Sequence, residues 1–207
     1  MGPVERLVQD AASLGVSLTE ADAARLLALL AELARWNRSY NLTSITSAAD
    51  MVTHHLLDSL AVQPDLHGTR IADAGTGAGF PGLPLALCNP QRQFTLIDAS
   101  AKKIRFVSHA ARELALANVS ALHARVEALE PVPAFDTVLA RAFAPLPRML
   151  NAVRGLCAPN THVLAMKGKW PQAELDALPP GWRVSAARTL SVPRLAGARC
   201  VIVLQRA

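Results

Sequence analysis

The sequence predicts an α/β fold: a mostly parallel, seven-stranded sheet with an antiparallel edge hairpin, covered by helices and preceded by a helical cap. Three observations lead there. From Arg70 onward short β-like runs alternate with helix-like segments, the pattern of a parallel sheet covered on both sides. The first of these strands runs into IADAGTGAGFPG, Ile71 to Gly82, the most glycine-dense stretch of the chain, placed between strand and helix as in Rossmann-like folds. Before Arg70 the apolar residues recur at helical spacing.

Residues 4–62 read as helical. In ADAARLLALLAELARWN, Leu26, Leu29, Leu30, Leu33 and Trp36 share one face, Asp22, Arg25, Glu32 and Arg35 fall elsewhere, and Thr19 is placed to cap the run. The polar stretch WNRSYNLTSITS reads as a loop. A second helix is expected over SAADMVTHHLLDSLAV, starting near Ser47 and ending before Pro64. Residues 1–64 are thus a helical extension and 65–207 the α/β domain. Strands are expected at RIADA, FTLIDA, VSALHA, FDTVLA, THVLAMK, WRVSAART and RCVIVLQ, with helices at LPLALC, KKIRFVSHAARELALA, near VEALE and at PLPRMLNAVRGL. Only LSVPRLAGA separates the last two strands, which makes them the antiparallel pair.

Composition bounds the function. At 207 residues and 51% hydrophobic the chain can bury a domain-sized core. A net charge of +5 favours an anionic partner, with nucleic acid the commonest case. Cys88, Cys157 and Cys200 are odd in number and form no CxxC pair, so they suggest buried thiols in a reducing compartment and no metal site. The start MGPVERLVQD lacks the apolar core of a secretory signal, and no stretch is long and apolar enough to span a bilayer. A cytoplasmic monomer away from the membrane is expected.

The glycine loop selects the cofactor. A dinucleotide site favours G-x-G-x-x-G with a pyrophosphate at the helix N-terminus. Here Gly75, Gly77 and Gly79 follow G-x-G-x-G behind an acid, Asp73. That carboxylate repels a pyrophosphate but suits an amino-acid ammonium, and S-adenosylmethionine has one and carries no phosphate. Asp98, at the end of FTLID, stands where a carboxylate takes both ribose hydroxyls.

Further segments extend the reading. WNRSYNLTSI, HHLLDSL, DAGTGAGFPGLPLA, TLIDASAKKIRF, ARVE, ARAFAPL, AMKGK and GARCVIVLQ occur in the order seen in the RsmG methyltransferases, also called glucose-inhibited division protein B, and from Trp36 onward the chain resembles that family. WNxxxNLT followed by HxLDSL is the specific part. The resemblance implies a class I methyltransferase fold and S-adenosylmethionine-dependent methylation of guanine N7 in small-subunit (16S) ribosomal RNA. It implies that Gly75 and Phe80 line the methionine and adenosine side of the pocket, that Asp98 lies at the ribose, that Val126 and Glu127 border the adenine, and that Arg141 belongs to the pocket. Arg141 ends the FDTVLA strand, where its guanidinium can pair with the methionine carboxylate or with an RNA phosphate. Two positions depart from the family: Cys200 follows Arg199 where a histidine is frequent, and His54 stands where many members carry a basic residue.

Guanine N7 has a free lone pair and no proton to lose, so methyl transfer to it needs positioning more than a base. Rival chemistries leave marks that are missing: Arg141-Ala142-Phe143-Ala144 replaces the [DN]-P-P-[FYW] of amino methylation, and no cysteine follows a proline as in carbon-5 methylation. Basic residues around the mouth, Arg38, Lys167, Lys169 and Arg199, are the expected phosphate contacts, although each alone is an ordinary surface charge. Asn41, His55 and Lys167 are candidate substrate-positioning residues, with Asn41 also suited to local loop bonding and His55 spaced to pair with Asp58 on one helix face. The competing functions are a nicotinamide oxidoreductase, disfavoured by the glycine spacing, an RNA-binding factor without catalysis, and methylation of a small molecule or a protein.

Overall fold

The computed structural model describes residues 1–129 and 134–207. Its first helices follow local signals. α1 (Pro3–Ser13) opens on a proline, tolerated in a first turn because no amide proton is needed there. α2 (Glu20–Tyr40) is capped by Thr19, whose hydroxyl accepts the Asp22 amide at 3.0 Å and donates to the Asp22 carboxylate at 2.7 Å. Leu26, Leu29, Leu30 and Leu33 are buried, and Trp36 lies half-buried against Phe106, Tyr40 and His109.

The sequence reading of WNRSYNLTSITS as a loop is corrected at its start. α2 continues through Tyr40, and the chain leaves the helix at Asn41, which has φ 48° and ψ 60°. Asparagine tolerates this left-handed conformation better than most residues. Asn37, inside the helix, accepts the amides of Leu42 and Thr43 at 2.6 and 2.9 Å and so fixes the reversal.

The second helical stretch begins at α3 (Ala48–Met51), capped by Ser47, continues as a π-turn over Val52–Leu57 and closes as α4 (Asp58–Leu60). The Asp58 amide bonds the Thr53 carbonyl, five residues back. Such widened turns recur at functional sites and leave no trace in apolar periodicity.

Seven strands follow: β1 (Arg70–Ala74), β2 (Gln93–Asp98), β3 (Val119–His123), β4 (Phe135–Arg141), β5 (Cys157–Lys167), β6 (Trp182–Thr189) and β7 (Cys200–Arg206), in the order β3-β2-β1-β4-β5-β7-β6. The first five are parallel, and β7 pairs antiparallel with both β5 and β6. The crossover helices are α5 (Gly82–Cys88), α6 (Ala101–Glu113) and α7 (Leu146–Val153). A short α8 (Gln172–Asp176), absent from the sequence reading, follows β5. A 3-10 turn at Val126–Ala128 occupies the place of the helical piece near VEALE, whose last residue, Glu130, lies outside the described residues.

Alternation along the strands divides the core. Ile71, Leu139, Leu164, Val201 and Val203 pack with α1, α2, α5 and α6, so the N-terminal helices share one apolar cluster with the sheet. Ala72, Val138, Val163, Ile202 and Leu204 pack on the other face with Leu146, Met149 and Leu150 of α7. The strand order reverses between β1 and β4, and ligands of open α/β sheets bind beyond the strand ends at that switch point. No helix among the described residues is long and apolar enough to cross a membrane.

Candidate active site

The loop after β1 is built by its own backbone and by Asp73. Gly75 and Gly77 have φ of 68° and 62°, which side-chain-bearing residues rarely adopt. A Cβ on Gly75 would stand 2.7 Å from the Phe143 ring, whereas one on Gly77 would meet nothing within 4 Å and point into open space. Gly79 closes the turn, its amide reaching the Thr76 carbonyl at 3.0 Å. Asp73 Oδ2 accepts the Thr76 hydroxyl at 2.6 Å and the Gly82 amide at 2.9 Å. Asp73 Oδ1, equally buried, has no partner among the described residues. Burial pushes the Asp73 carboxyl up to about 6, against the pull of the bonds from Thr76 and Gly82.

Asp98 bridges the loop to β2. Its Oδ2 accepts the Gly77 amide at 2.9 Å, its Oδ1 accepts the Ser100 amide at 2.8 Å, and Lys103 lies 3.9 Å away. Each carboxylate oxygen keeps capacity for a second donor. Beside it is a cavity of about 200 Å³ lined by Gly75, Asp98, Ala124, Val126, Glu127 and Phe143. Apolar walls from Val126 and Phe143, with the buried Asp98 and the exposed Glu127 also in the lining, suit a nucleoside base and ribose. These residues fit the adenosine of S-adenosylmethionine, whereas Asp73, 1% exposed, lines neither cavity and sits beneath the glycine turn. Phe143 is the residue that sequence reasoning missed; its position directly past the end of β4 was the available signal.

A second cavity, of about 400 Å³, opens on the other side of the turn after β4 and is lined by His54, His55, Asp58, Arg141, Lys167 and Arg199 together with apolar residues. Arg141 and Ala142 line this cavity while Phe143, next in sequence, lines the first, so the two meet across one turn. Asp58 is its hub: buried, it accepts Arg141 Nη1 on one oxygen and Arg199 Nε on the other, both at 3.2 Å. Arg141 Nη1 also donates to the His54 carbonyl at 2.8 Å. The expected His55–Asp58 pair is therefore corrected, because two guanidiniums claim the carboxylate. His55 instead stacks on Phe80, with ring centroids 4.7 Å apart, and its Nε2 lies 3.1 Å from the Thr43 hydroxyl. Burial, then the charges of Arg141 and His54, lowers His55 to about 4, so its ring is neutral near pH 7.

Several expectations are redistributed. Phe80 lies behind His55, with the Arg141 guanidinium 5.9 Å from its ring centre, and does not line the nucleoside cavity. Arg141 spends Nη1 on Asp58 and the His54 carbonyl, and it lines the second cavity, not the nucleoside one. Lys167 lines the second cavity but is held by Glu174 at 2.7 Å and the Ala144 carbonyl at 3.0 Å, which neutralises the charge assigned to a phosphate. Arg199 is similarly paired with Asp58, while Lys169 is exposed nearby. Arg38 is exposed in the last turn of α2, not in a loop, and lines neither cavity. Asn41 serves as the left-handed helix cap, and the loop bonding expected of it falls to Asn37. Cys200 is a buried cavity wall whose thiol donates to the Lys169 carbonyl at 3.5 Å.

The family model described as rRNA small subunit methyltransferase G matches residues 22–202. A protein of Saccharophagus degradans named ribosomal RNA small subunit methyltransferase G is 45% identical over 204 residues, covering 98% of this chain and 92% of that one. One of the same name from Xanthomonas oryzae is 46% identical over 191 residues, covering 92% and 90%. Among solved structures, a SAM-dependent methyltransferase from Aquifex aeolicus superposes with a TM-score of 0.57 at 19% identity, over 75% of this chain and 93% of that one. The Bacillus subtilis tRNA methyltransferase TrmK gives 0.59 at 10% identity, over 72% and 65%. At such identities the structural likeness speaks for the fold, which is that of class I methyltransferases.

Proposed function

The chain belongs to the rRNA small subunit methyltransferase G family, and from that premise we propose that it transfers the methyl group of S-adenosylmethionine to N7 of a guanine in small-subunit ribosomal RNA. The observation that carries the reading is the pair of cavities on either side of the turn after β4, one suited to a nucleoside and the other to a base and its phosphates.

S-adenosylmethionine supplies an electrophilic methyl on a sulfonium. Asp73 and Asp98 would hold its ammonium and its ribose hydroxyls, with Val126, Glu127 and Phe143 around the adenine. Guanine N7 attacks through its own lone pair, so the chain has to place that atom and exclude water, not remove a proton. The second cavity agrees with this division of labour. Its carboxylate is committed to two arginines, and its neutral, buried histidine is a weak base. Lys169, Arg38 and the outer faces of Arg141 and Arg199 are the proposed phosphate contacts, and the protein is proposed to act as a monomer in the cytoplasm.

The test is the destination of a labelled methyl group. Purified protein is incubated with labelled S-adenosylmethionine and, separately, protein-free small-subunit RNA, intact small subunits, and ribosome-depleted protein extract. Label is expected in RNA, in one or both of the first two. Label confined to protein or to small molecules overturns the reading.

A further inference from the structure

The turn after β5 carries an exposed tryptophan on an anchored piece of backbone. Lys167, ahead of it, is held by Glu174 and the Ala144 carbonyl, the Lys169 carbonyl accepts the Cys200 thiol, and Pro171, just past it, is buried. Gly168, within the turn, lines the cavity of about 400 Å³ proposed for the target base. Trp170 nevertheless keeps 46% of its surface exposed. Its indole N–H donates to Gln172 Oε1 at 3.3 Å, and Gln172 Nε2 donates in turn to Asp176 Oδ1 at 2.8 Å, so polar bonds orient the ring. Among the described residues the indole stacks on no other ring and on no guanidinium. A lone exposed apolar side chain is ordinary on a protein surface. This one is oriented, unstacked and two residues from the wall of that cavity. Beside it, Lys169 is exposed and forms no ion pair among the described residues, whereas Arg141, Arg199 and Lys167 each share a carboxylate.

We infer that the Lys169–Trp170 turn clamps the RNA strand beside the target guanine: the indole stacks on a neighbouring unpaired base, and Lys169 contacts an adjoining phosphate. The inference rests on the guanine-N7 reading above. Every base has a π-face, so an aromatic platform grips a base of any sequence, and a flanking cation tracks the backbone. Paired bases in a duplex are stacked on one another and offer the indole no face, so the occupant is a single-stranded segment. Two residues of chain span at most about 7 Å, which leaves a base close to the target within reach of the ring. The turn sets where the strand runs. Neither side chain touches the reacting atoms, and no covalent bond to the protein forms.

The experiment uses small-subunit RNA whose methylated guanine has been mapped on the wild-type product, with the nucleotides on either side made abasic one at a time. Dissociation constants are measured across a range of salt. Trp170→Ala should weaken RNA binding by roughly fivefold to a hundredfold, the range for losing one base–aromatic stack, with the salt slope and the affinity for S-adenosylmethionine unchanged. Trp170→Phe should keep most of the wild-type affinity. Lys169→Ala should instead lower the salt slope by about 0.7, the share of one phosphate on a single strand. For wild type, one abasic position should cost as much as Trp170→Ala, and the two changes together should cost no more than either. A merely structural role for Trp170 would lower cofactor affinity as well and would single out no nucleotide. Wild-type RNA affinity in Trp170→Ala, or losses that add at every abasic position, overturns the inference while guanine-N7 methylation stands. Should Trp170→Ala fail to fold, wild-type fluorescence decides: intact RNA should quench the indole emission more than RNA with the sensitive base removed, and equal quenching at every position overturns the inference. Absence of N7 methylation by wild type removes both readings.

Discussion

Asp73 is the carboxylate proposed to serve fold and ligand at once. One oxygen ties the glycine turn to the head of α5 through Thr76 and Gly82, and the other is buried without a partner. With its folded value raised from 3.8 to about 6, the group favours the unliganded fold fully below pH 3.8, and that contribution is lost as pH rises through about 6. A cation at the free oxygen reverses the preference. Affinity for S-adenosylmethionine, measured by calorimetry, should therefore rise with pH by roughly eightfold in all between 5 and 6.5 and level off above. Asp73→Asn should bind weakly and without this dependence; equal slopes in both proteins would contradict the assignment. Asp98→Ala should cost about 1.5–3 kcal/mol of binding, as for hydrogen bonds to a charged group. S-adenosylhomocysteine should suffer the same loss, because it shares the ribose, and a loss confined to one ligand would place Asp98 at the sulfur. These residues were legible in the sequence because they are close in the chain and each spacing carries a geometric reason. The partner of Asp58 was not: two arginines, 83 and 141 residues away, arrive only through the fold.

At the scale of elements, periodicity located the helices and strands that bury a face and failed where polar chemistry sets the backbone. WNRSY looks like a loop by composition, yet it extends α2 until Asn41 turns left-handed. Periodicity marked the helix over SAADMVTHHLLDSLAV but not its π-turn at Val52–Leu57, and the five-residue α8 carries too few apolar positions to register. The glycine turn belongs to this scale as well, since its conformation is shared by several residues. Gly75→Val drives a side chain toward Phe143, and Gly77→Val places one in open space, both at positive φ. Both proteins should lose cofactor binding and keep a folded far-ultraviolet circular dichroism spectrum. Wild-type affinity in either, with the spectrum unchanged, would remove the turn from the cofactor site.

Across the whole molecule, the switch point of the sheet places two cavities side by side, and the N-terminal helices complete the second of them. Asp58, from α4, joins Arg141 at the end of β4 to Arg199 ahead of β7, so one buried carboxylate ties the helical cap to both halves of the sheet. Asp58→Asn should lower stability by about 2 kcal/mol, less than a fully buried pair because both guanidiniums keep contact with water. It should also weaken RNA binding more than cofactor binding, read by titrating each ligand; equal losses would make the link merely structural. The most direct measurement of the central claim locates the methyl group at atomic level. Small-subunit RNA is methylated by the protein with S-adenosylmethionine, and the product is treated to break strands selectively at 7-methylguanosine. The account predicts a single new break, at a guanine, that requires both protein and cofactor. Label incorporated into the RNA without any such break, or recovered on an exocyclic amine or a ring carbon, would contradict it.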